Sequence, residues 1–246
     1  MKNILDEGVK KLGITLPEGC CDSLILYSEL LKEWNEKINL TAITDDEGIA
    51  TKHFLDSLTA IKTGYVKGKV IDVGTGAGFP GIVLKMAEPQ ISLTLLDSLN
   101  KRINFLKEVC EKTKLDGVEF IHARAEDGGH MQKLRKSFDT VTARAVANMT
   151  VLCELCLPFL KVGGYFLALK GPMANEELND AKRTISVLGG DVEGIFECEI
   201  PFTELSHKII IIKKVKKTPM KYPRKPGLIT KSPVKGCYNS SQKRRN

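Results

Sequence analysis

The chain has 246 residues, of which 42% are hydrophobic and 27% are charged, a composition ordinary for a globular protein. No stretch approaches the roughly 18 consecutive apolar residues of a membrane span, and the N-terminus lacks the apolar core of a signal peptide, so we expect a cytoplasmic protein without a membrane partner. The seven cysteines are an odd number, which argues against a disulfide framework.

Residues 1–63 carry helical patterns and no strand pattern. Apolar residues recur at helical spacing over residues 24–38, which predicts a buried stripe. The pattern Thr44-x-x-Glu47 predicts a capping box that opens the next helix.

A histidine and an acid share one face of that next helix. His53 and Asp56 lie three residues apart, which places both side chains on the same side. Spacing alone favours a structural pair over a functional one.

A buried strand leads directly into a glycine-rich turn within residues 70–84. Gly74, Gly76, Gly78 and Gly81 fall within eight residues and remove the Cβ atoms that would keep a ligand away from the backbone. The free N–H groups at the start of the following helix would face that ligand. A strand, a glycine turn and a helix in this order are typical of nucleotide-cofactor sites.

The acid before the turn bears on the choice of cofactor. Gly76, Gly78 and Gly81 also satisfy the dinucleotide spacing, so an NAD-dependent oxidoreductase stays open. Asp72 disfavours a pyrophosphate and suits S-adenosylmethionine, which carries an ammonium and a sulfonium group and no phosphate. Asp97, at the end of the second predicted strand, suits the ribose hydroxyls of either cofactor.

From residue 69 the pattern alternates between strands and helices, which predicts an α/β fold with a doubly wound sheet. Residues 201–206 are too few for a crossover helix, so the last two strands should pair as an antiparallel hairpin at the edge of a mostly parallel, seven-stranded sheet. Such a hairpin favours a methyltransferase over a dehydrogenase. The predicted strands are 69–73, 91–96, 118–122, 138–143, 163–170, 192–199 and 208–213, and the predicted helices are 80–88, 99–114, 125–135, 148–160 and 174–188.

Ligands of open α/β sheets bind beyond the carboxyl ends of the strands. Ala125 and Glu126 follow the third strand, where they would meet an adenine through backbone N–H groups or the carboxylate. The segments expected to line the site are 74–79, 97–98, 124–127 and 144–147.

The residues after the fourth strand bear on the acceptor atom. Methylation of an exocyclic amine uses Asn or Asp followed by Pro-Pro-Tyr there, whereas this chain has Arg144 followed by three apolar residues. No cysteine nucleophile lies at these strand ends, and we interpret the lone C-x-x-C of Cys153 and Cys156 as helix packing, with zinc as the alternative, so no metal is predicted. A ring nitrogen such as guanine N7 needs neither that motif nor a cysteine nucleophile. For its methylation the enzyme only has to align the base with the methyl group and place charges around them.

Basic residues are concentrated at the end of the chain. Residues 213–246 hold nine lysines, three arginines and no acid, whereas residues 1–212 hold 25 basic and 30 acidic side chains. Prolines interrupt this tail, which predicts an extended segment without a core of its own. Its interleaved basic and tyrosine residues suit RNA phosphates and bases, with an anionic membrane surface or a merely solvated tail as alternatives.

Six motifs follow one another along the chain: Asn39 to Ile43, His53 to Leu58, Asp72 to Gly81, Ala143 to Ala147, Leu169 to Gly171 and Tyr222 to Gly227. Together they resemble those of a known family, the bacterial 16S rRNA guanine-N7 methyltransferases, also described as glucose-inhibited division protein B. The resemblance runs from about residue 20 to 235. It implies a Rossmann-like class I fold, S-adenosylmethionine as cofactor, and methylation of guanine N7 in the 530 loop of 16S rRNA, free or in a small-subunit precursor, by a cytoplasmic monomer.

The resemblance and the strand-end pattern together predict the site residues and three segments: an N-terminal helical segment (1–63), a methyltransferase domain (64–215) and a basic tail (216–246). A non-catalytic rRNA-binding protein with a retained cofactor pocket is a further alternative beside the oxidoreductase. The predicted cofactor contacts are Asp72, Gly74, Gly76, Gly78, Phe79, Asp97, Ala125, Glu126 and Arg144; the predicted positioning residues for catalysis are His53, Asp56, Arg144 and Lys170; and the predicted RNA contacts are Lys221, Tyr222, Arg224, Lys225 and Lys231.

Overall fold

A seven-stranded sheet in the order β3-β2-β1-β4-β5-β7-β6 forms the centre of the computed structural model, which describes residues 1–144, 147–204 and 206–234. Five strands run parallel, and β7 pairs antiparallel with both β5 and β6. The predicted mostly parallel sheet with an antiparallel hairpin at its edge is therefore confirmed. The strands are β1 (Lys69–Val73), β2 (Ser92–Asp97), β3 (Val118–His122), β4 (Phe138–Arg144), β5 (Leu160–Lys170), β6 (Gly190–Glu199) and β7 (Ser206–Lys214).

The helices cover both faces of the sheet, as expected when successive side chains of a strand point to opposite sides. Val70 joins a core cluster with the N-terminal helices, whereas its neighbour Ile71 joins a second cluster with α8 and α9. The α-helices are α1 (Lys2–Leu12), α2 (Cys20–Asn35), α3 (Asp46–Gly48), α4 (Asp56–Leu58), α5 (Gly81–Ala87), α6 (Asn100–Lys112), α7 (Ala125–Gly128), α8 (Met149–Cys156), α9 (Ala174–Val187) and α10 (Pro226–Lys231). No helix in the described ranges is long and apolar enough to cross a membrane.

The N-terminal helices pack on the face of the sheet that also carries α5 and α6. A π-helical segment, Ile49–Leu55, connects α3 to α4 and carries His53. The predicted capping box at Thr44 is wrong by one residue, because Asp45 is the N-cap and its Oδ1 accepts the Gly48 N–H at 2.7 Å. Asp45 can do so because its backbone is extended while the following residues are helical.

The helix predicted at 125–135 ends early, at Gly128. Two consecutive glycines oppose continuation of a helix, since glycine is about 1 kcal/mol less favourable than alanine there. Gly129 also allows close approach of the C-terminal segment, because a Cβ on it would lie 2.7 Å from the Cγ of Pro223.

The start of the tail is not merely extended, contrary to the prediction. It contains α10 and the buried side chain of Tyr222. Arg135, itself buried, donates from Nη1 to the carbonyl oxygens of Gly129 (2.7 Å) and Tyr222 (2.8 Å), and from Nη2 to that of Thr218 (3.0 Å). These bonds attach residues 218–222 to the core, an attachment that composition alone does not reveal.

Candidate functional site

A cavity of about 460 Å³ lies beyond the carboxyl ends of β1 to β4. Its position is the one expected for the ligand site of an open α/β sheet. Twelve different residues are predicted above as cofactor contacts or positioning residues, and eight of them line the cavity: His53, Gly74, Gly76, Phe79, Asp97, Ala125, Glu126 and Arg144. The other lining residues are Leu40, Thr41, Thr75, Ala77, Leu96, Ser98, Arg102, Ala123, Arg124 and Leu155.

The glycine turn has two different faces. Gly76 lines the cavity with φ +60°, and its N–H donates to Oδ2 of Asp97 at 2.9 Å. Gly78 has φ +98° and faces the helices, since a Cβ on it would lie 2.5 Å from the hydroxyl of Tyr27. The missing side chain of Gly76 therefore leaves room for a ligand in the cavity, whereas that of Gly78 lets the turn pack closely against α2.

Asp72 lies behind the turn and not on the cavity wall, where the sequence prediction had placed it. Its carboxylate is fully buried and accepts bonds from Oγ1 of Thr75 (2.6 Å), Oγ1 of Thr142 (2.8 Å) and the N–H of Gly81 (3.1 Å). Burial raises the pKa of Asp72, and these three bonds oppose that rise. The carboxylate thus holds the turn and the first turn of α5 in place.

One end of the cavity carries two acids, Asp97 and Glu126, and each has an arginine beside it: Nη1 of Arg102 lies 3.5 Å from Asp97, and Nη1 of Arg124 lies 3.8 Å from Glu126. Asp97 accepts the N–H groups of Gly76 and, at 2.9 Å, Leu99, and its side chain is almost fully buried. Each carboxylate oxygen has two lone pairs, so Asp97 can accept further bonds from a ligand. Ala125 and Glu126, at the start of α7, also line the cavity. This end suits a ribose and a heterocyclic base that donate hydrogen bonds.

The other end of the cavity is formed by Arg144 and its partners. The Nη1 of Arg144 donates to Oδ2 of Asp56 (2.8 Å) and to the carbonyl oxygen of Lys52 (3.1 Å), and its guanidinium lies 4.9 Å from the ring centre of Phe79. Asp56 is almost fully buried. His53 stacks on the same ring of Phe79, with 4.5 Å between ring centres. Arg144 therefore sits in a fixed position at the end of β4 with its charge balanced.

His53 is neutral at physiological pH. Burial, followed by the positive charge of Arg144, lowers the pKa of His53 to about 4. In either neutral tautomer both ring nitrogens have a hydrogen-bond partner. Nε2 lies 2.8 Å from Oγ1 of Thr41, and Nδ1 lies 3.1 Å from the carbonyl oxygen of Lys52 and 3.3 Å from Nη2 of Arg144. The neutral His53 ring thus packs against Phe79 and the guanidinium of Arg144 and contacts both.

Lys170 lies outside the cavity lining. Its Nζ donates to the carbonyl oxygen of Ala147 (2.6 Å) and pairs with Oε2 of Glu177 (2.7 Å), which also accepts the N–H of Met149 at 2.8 Å. Lys170 therefore supports the backbone at the start of α8, just after the fourth strand. Contact with substrate from this side chain stays a prediction.

The predicted RNA residues divide into two groups. Lys221, Lys225 and Lys231 are exposed. Tyr222 is buried, and Arg224 binds the buried carboxylate of Glu154 through Nε (2.9 Å) and Nη2 (2.7 Å). The last two side chains thus have partners inside the protein, and base stacking by Tyr222 would require it to leave the core.

The C-x-x-C pair is buried in α8. Cys153 and Cys156 are fully buried, and burial raises the pKa of both thiols. Thiols held protonated in this way are poor metal ligands. Within the described part of the chain, no group of three or more His, Cys, Asp or Glu side chains could hold a metal ion.

Comparison with known proteins decides the family. The model of the family described as "GidB: rRNA small subunit methyltransferase G" matches residues 20–206. The chain belongs to this family. A relative named "Ribosomal RNA small subunit methyltransferase G" from Alkaliphilus oremlandii (strain OhILAs) is 53% identical over 96% of this chain and 99% of its own length. One of the same name from Clostridium perfringens (strain SM101 / Type A) is 53% identical over 95% of this chain and 98% of its own. Family membership favours the rRNA methyltransferase over the oxidoreductase.

Solved structures share the fold at low identity. "M. jannaschii TYW2 in complex with AdoMet" matches with a TM-score of 0.51 and 15% identity over 66% of this chain and 76% of that chain. "Precorrin-6y C5,15-methyltransferase" from Geobacter metallireducens GS-15 matches with a TM-score of 0.51 and 15% identity over 73% of this chain and 95% of that chain. These likenesses confirm the predicted Rossmann-like fold.

The sequence prediction missed three side chains at this site. Tyr27 donates its hydroxyl hydrogen to the carbonyl oxygen of Ala77 in the glycine turn. Thr41 contacts His53, and His207 contacts Asp56 at 2.6 Å. Thr41 falls in a motif that the resemblance includes, which is a usable signal, whereas 151 residues separate His207 from Asp56 and no local pattern connects them.

Proposed function

We propose that the protein transfers a methyl group from S-adenosylmethionine to N7 of a guanine in the 530 loop of 16S rRNA. The observation that carries the proposal is the two-ended cavity, with acids at one end and the Asp56-balanced Arg144 at the other. Asp97 and Glu126 fit the adenosine part of the cofactor, Gly74 and Gly76 line the same cavity, and Phe79 lies beside Arg144.

Guanine N7 fits this site because it carries a lone pair and no proton to remove. S-adenosylmethionine, when bound, supplies an electrophilic methyl group on its sulfonium. The N7 lone pair forms the new bond to the methyl carbon, the carbon–sulfur bond breaks, and sulfur keeps the electron pair. A general base is not needed, which agrees with a His53 that stays neutral and has both nitrogens occupied.

Arg144 suits the acceptor side of the cavity. Arginine binds guanine through O6 and N7 in many complexes, and a contact to O6 alone would leave N7 free to attack. Cofactor and methylated base are both cationic, so an unbalanced arginine would oppose the reaction. The Asp56 carboxylate, 2.8 Å away, offsets that charge.

The exposed lysines of the C-terminal segment suit the RNA backbone. Pro223 packs on Gly129, and the carbonyl oxygen of Pro223 lies 2.7 Å from Nε2 of His130, so the segment is held beside α7 at the acidic end of the cavity. Lys221 and Lys225 flank this attachment and reach solvent. They can contact phosphates while Arg224 keeps the segment in place.

We further propose that the protein acts as a cytoplasmic monomer on 16S rRNA, free or within a small-subunit precursor. Light scattering of the purified protein tests this state, and a mass of two or more chains at assay concentration would contradict it.

Methyl mapping tests the proposed reaction. The purified protein and labelled S-adenosylmethionine are incubated with free 16S rRNA and with small subunits from cells that lack the corresponding enzyme. Nucleoside mass spectrometry should show 7-methylguanosine, and primer extension after cleavage at that base should place it in the 530 loop. Another methylated nucleoside or another region of the RNA would overturn the proposal, and stabilisation by NAD in place of S-adenosylmethionine would restore the oxidoreductase.

A further inference from the structure

The carboxylate of Asp56 is shared between two hydrogen-bond donors, Arg144 and His207, from distant parts of the chain. Its Oδ2 accepts from Arg144 at 2.8 Å, and its Oδ1 accepts from Nδ1–H of His207 at 2.6 Å. Asp56 is 1% exposed, whereas the side chain of His207 is 25% exposed. Each oxygen thus has its own partner, and water has almost no access to replace either one.

Loss of one partner would release the carboxylate. A carboxylate bonded through one oxygen only can rotate about its Cβ–Cγ bond, and the free oxygen would be a buried acceptor without a donor, which is costly. Two bonds on opposite oxygens fix the plane of the group. His207 therefore determines the direction in which Oδ2 of Asp56 faces Arg144.

Arg144 depends on that direction. Its other contacts are the carbonyl oxygen of Lys52, the neutral ring of His53 at 3.3 Å and the face of Phe79. Of these contacts only Asp56 carries an opposite charge, so it alone adds a Coulombic attraction to the hydrogen bond. Asp56 is therefore the contact that holds the guanidinium at the end of β4.

His207 comes from the antiparallel hairpin. It lies near the start of β7, opposite Cys198 of β6, and β7 pairs with the end of β5. This strand reversal brings a side chain from the C-terminal third of the chain to the N-terminal helices. The hairpin thus supplies part of the acceptor side of the cavity as well as an edge of the sheet.

We propose that His207 is a positioning residue that fixes the Asp56 carboxylate and, through it, the guanidinium of Arg144 beside the acceptor base. The inference rests on the proposed role of Arg144 in the reaction. His207 does not touch the cofactor or the reacting atoms in this assignment. Its contribution is to the rate of transfer and not to cofactor affinity.

A pair of variants of equal size tests the hydrogen bond. His207→Asn keeps a donor near the position of Nδ1, and His207→Leu has nearly the same volume and no donor. The leucine variant should lose about tenfold in kcat for rRNA methylation, because a bond to a charged group is lost, with the KM for S-adenosylmethionine unchanged. The asparagine variant should retain most of the wild-type kcat.

A double-mutant cycle with Asp56→Asn tests whether the effect passes through Asp56. If it does, His207→Leu should slow Asp56→Asn by much less than it slows the wild type. Equal additive losses, a leucine variant at wild-type kcat, or an asparagine variant as slow as the leucine variant would each overturn the proposal. If His207→Leu fails to fold, His207→Gln replaces it, since its donor lies one methylene further out and the same loss is expected.

The readout separates this inference from the proposed function. The assay counts methyl groups transferred to rRNA at any position, so it measures kcat even if the methylated atom is not N7. Methyl mapping that finds another product overturns the proposed function alone. Variants that behave alike in an active enzyme overturn the role of His207 alone.

Discussion

The hydroxyl of Tyr27, in the middle of α2, donates its hydrogen to the carbonyl oxygen of Ala77 in the glycine turn. The tyrosine is fully buried, and its ring stacks on Phe79 with 5.4 Å between ring centres. One side chain of the N-terminal helices therefore holds both the backbone and a side chain of the cofactor turn. The helical segment is thus a support for the cavity.

Tyr27→Phe should loosen this support. The ring stays, but the buried carbonyl of Ala77 loses its donor, so we expect the free energy of unfolding to fall by about 2 kcal/mol and S-adenosylmethionine to bind more weakly. Urea unfolding and calorimetric titration measure the two effects. Tyr65→Phe is the control, since the Tyr65 hydroxyl lies 3.4 Å from Glu193 at the surface and its stacking on Tyr165 is kept. Equal behaviour of the two variants would contradict the role of Tyr27.

Two glycines of the turn should respond differently to alanine. A Cβ on Gly78 would lie 2.5 Å from the Tyr27 hydroxyl and 2.9 Å from Cδ2 of Leu106, and φ is +98°. Gly78→Ala should therefore destabilise the fold by about 3 kcal/mol. At Gly76 a Cβ would meet only the carbonyl oxygen of Gly74 at 3.9 Å, so Gly76→Ala should cost about 1 kcal/mol of folding for its left-handed backbone.

The Gly76→Ala variant should also differ from the wild type in its affinity for the cofactor. Gly76 lines the cavity, so its alanine variant should fold and yet bind S-adenosylmethionine more weakly. Thermal unfolding with and without the cofactor measures both quantities in one experiment. A Gly76→Ala variant with unchanged affinity would show that the cofactor does not approach this part of the turn.

The ion pair of Glu154 and Arg224 should determine how firmly the C-terminal segment is attached. Glu154 is 1% exposed and accepts the Arg224 N–H (2.8 Å) as well as its guanidinium. Glu154→Gln leaves a partly buried arginine without its counter-charge, so we expect about 3 kcal/mol lower stability by urea unfolding. Asp22→Asn, which breaks the exposed pair with Lys2, should cause no measurable change. Equal stability of both variants would mean that the segment is held elsewhere.

The exposed lysines of that segment should control the salt dependence of RNA binding. Combined replacement of Lys221, Lys225 and Lys231 by alanine should lower affinity and reduce the slope of log K against log salt by about 2, at roughly 0.7 per phosphate contact of a single strand. Filter binding at several salt concentrations measures the slope. The matched control replaces three exposed lysines of α1, α6 and α9, namely Lys10, Lys107 and Lys182. An equal change in both variants would indicate net charge and not a local contact.

Local patterns were sufficient for the sheet. A strand that is buried on both faces is a near-continuous apolar run, and the buried isoleucines at 209–212 predicted β7 correctly. The hairpin was predicted correctly because a six-residue connection is too short for a crossover helix. The cavity followed from the strand ends for the same reason, since the topology alone places Gly76, Asp97, Ala125 and Arg144 together.

Side-chain partners far apart in sequence were not predictable in this way. Asp72 was expected to face a ligand, but Thr142, 70 residues away, draws its carboxylate to the inside. Tyr222 and Arg224, whose contact with RNA stays a prediction, are held within the protein by Arg135 and Glu154, which lie 70 or more residues away in the sequence. Spacing shows which side chains share a face, and only the packed structure shows which cation reaches which carboxylate.

The protonation of His53 should make stability depend on pH in the acidic range. Its pKa in the folded protein is about 4, below the ordinary value of 6.5, because the ring is buried and Arg144 is positive. Between these two values the unfolded chain binds a proton that the folded protein does not, so the free energy of unfolding should fall as the pH drops below about 6.5. This contribution is at most about 1.4 kcal/mol per pH unit and ends near pH 4.

His53→Gln isolates this contribution. Glutamine keeps a polar side chain near Thr41 and does not titrate, so the difference in unfolding free energy between wild type and variant should shrink steadily from pH 7 to pH 4. Other titrating groups are common to both proteins and cancel in the difference. Urea unfolding at half-unit steps of pH measures this difference. If the unfolding free energies of wild type and variant run parallel against pH, His53 takes up its proton at the same pH in the folded protein as in the unfolded chain. The lowered pKa of His53 beside Arg144 would then be wrong.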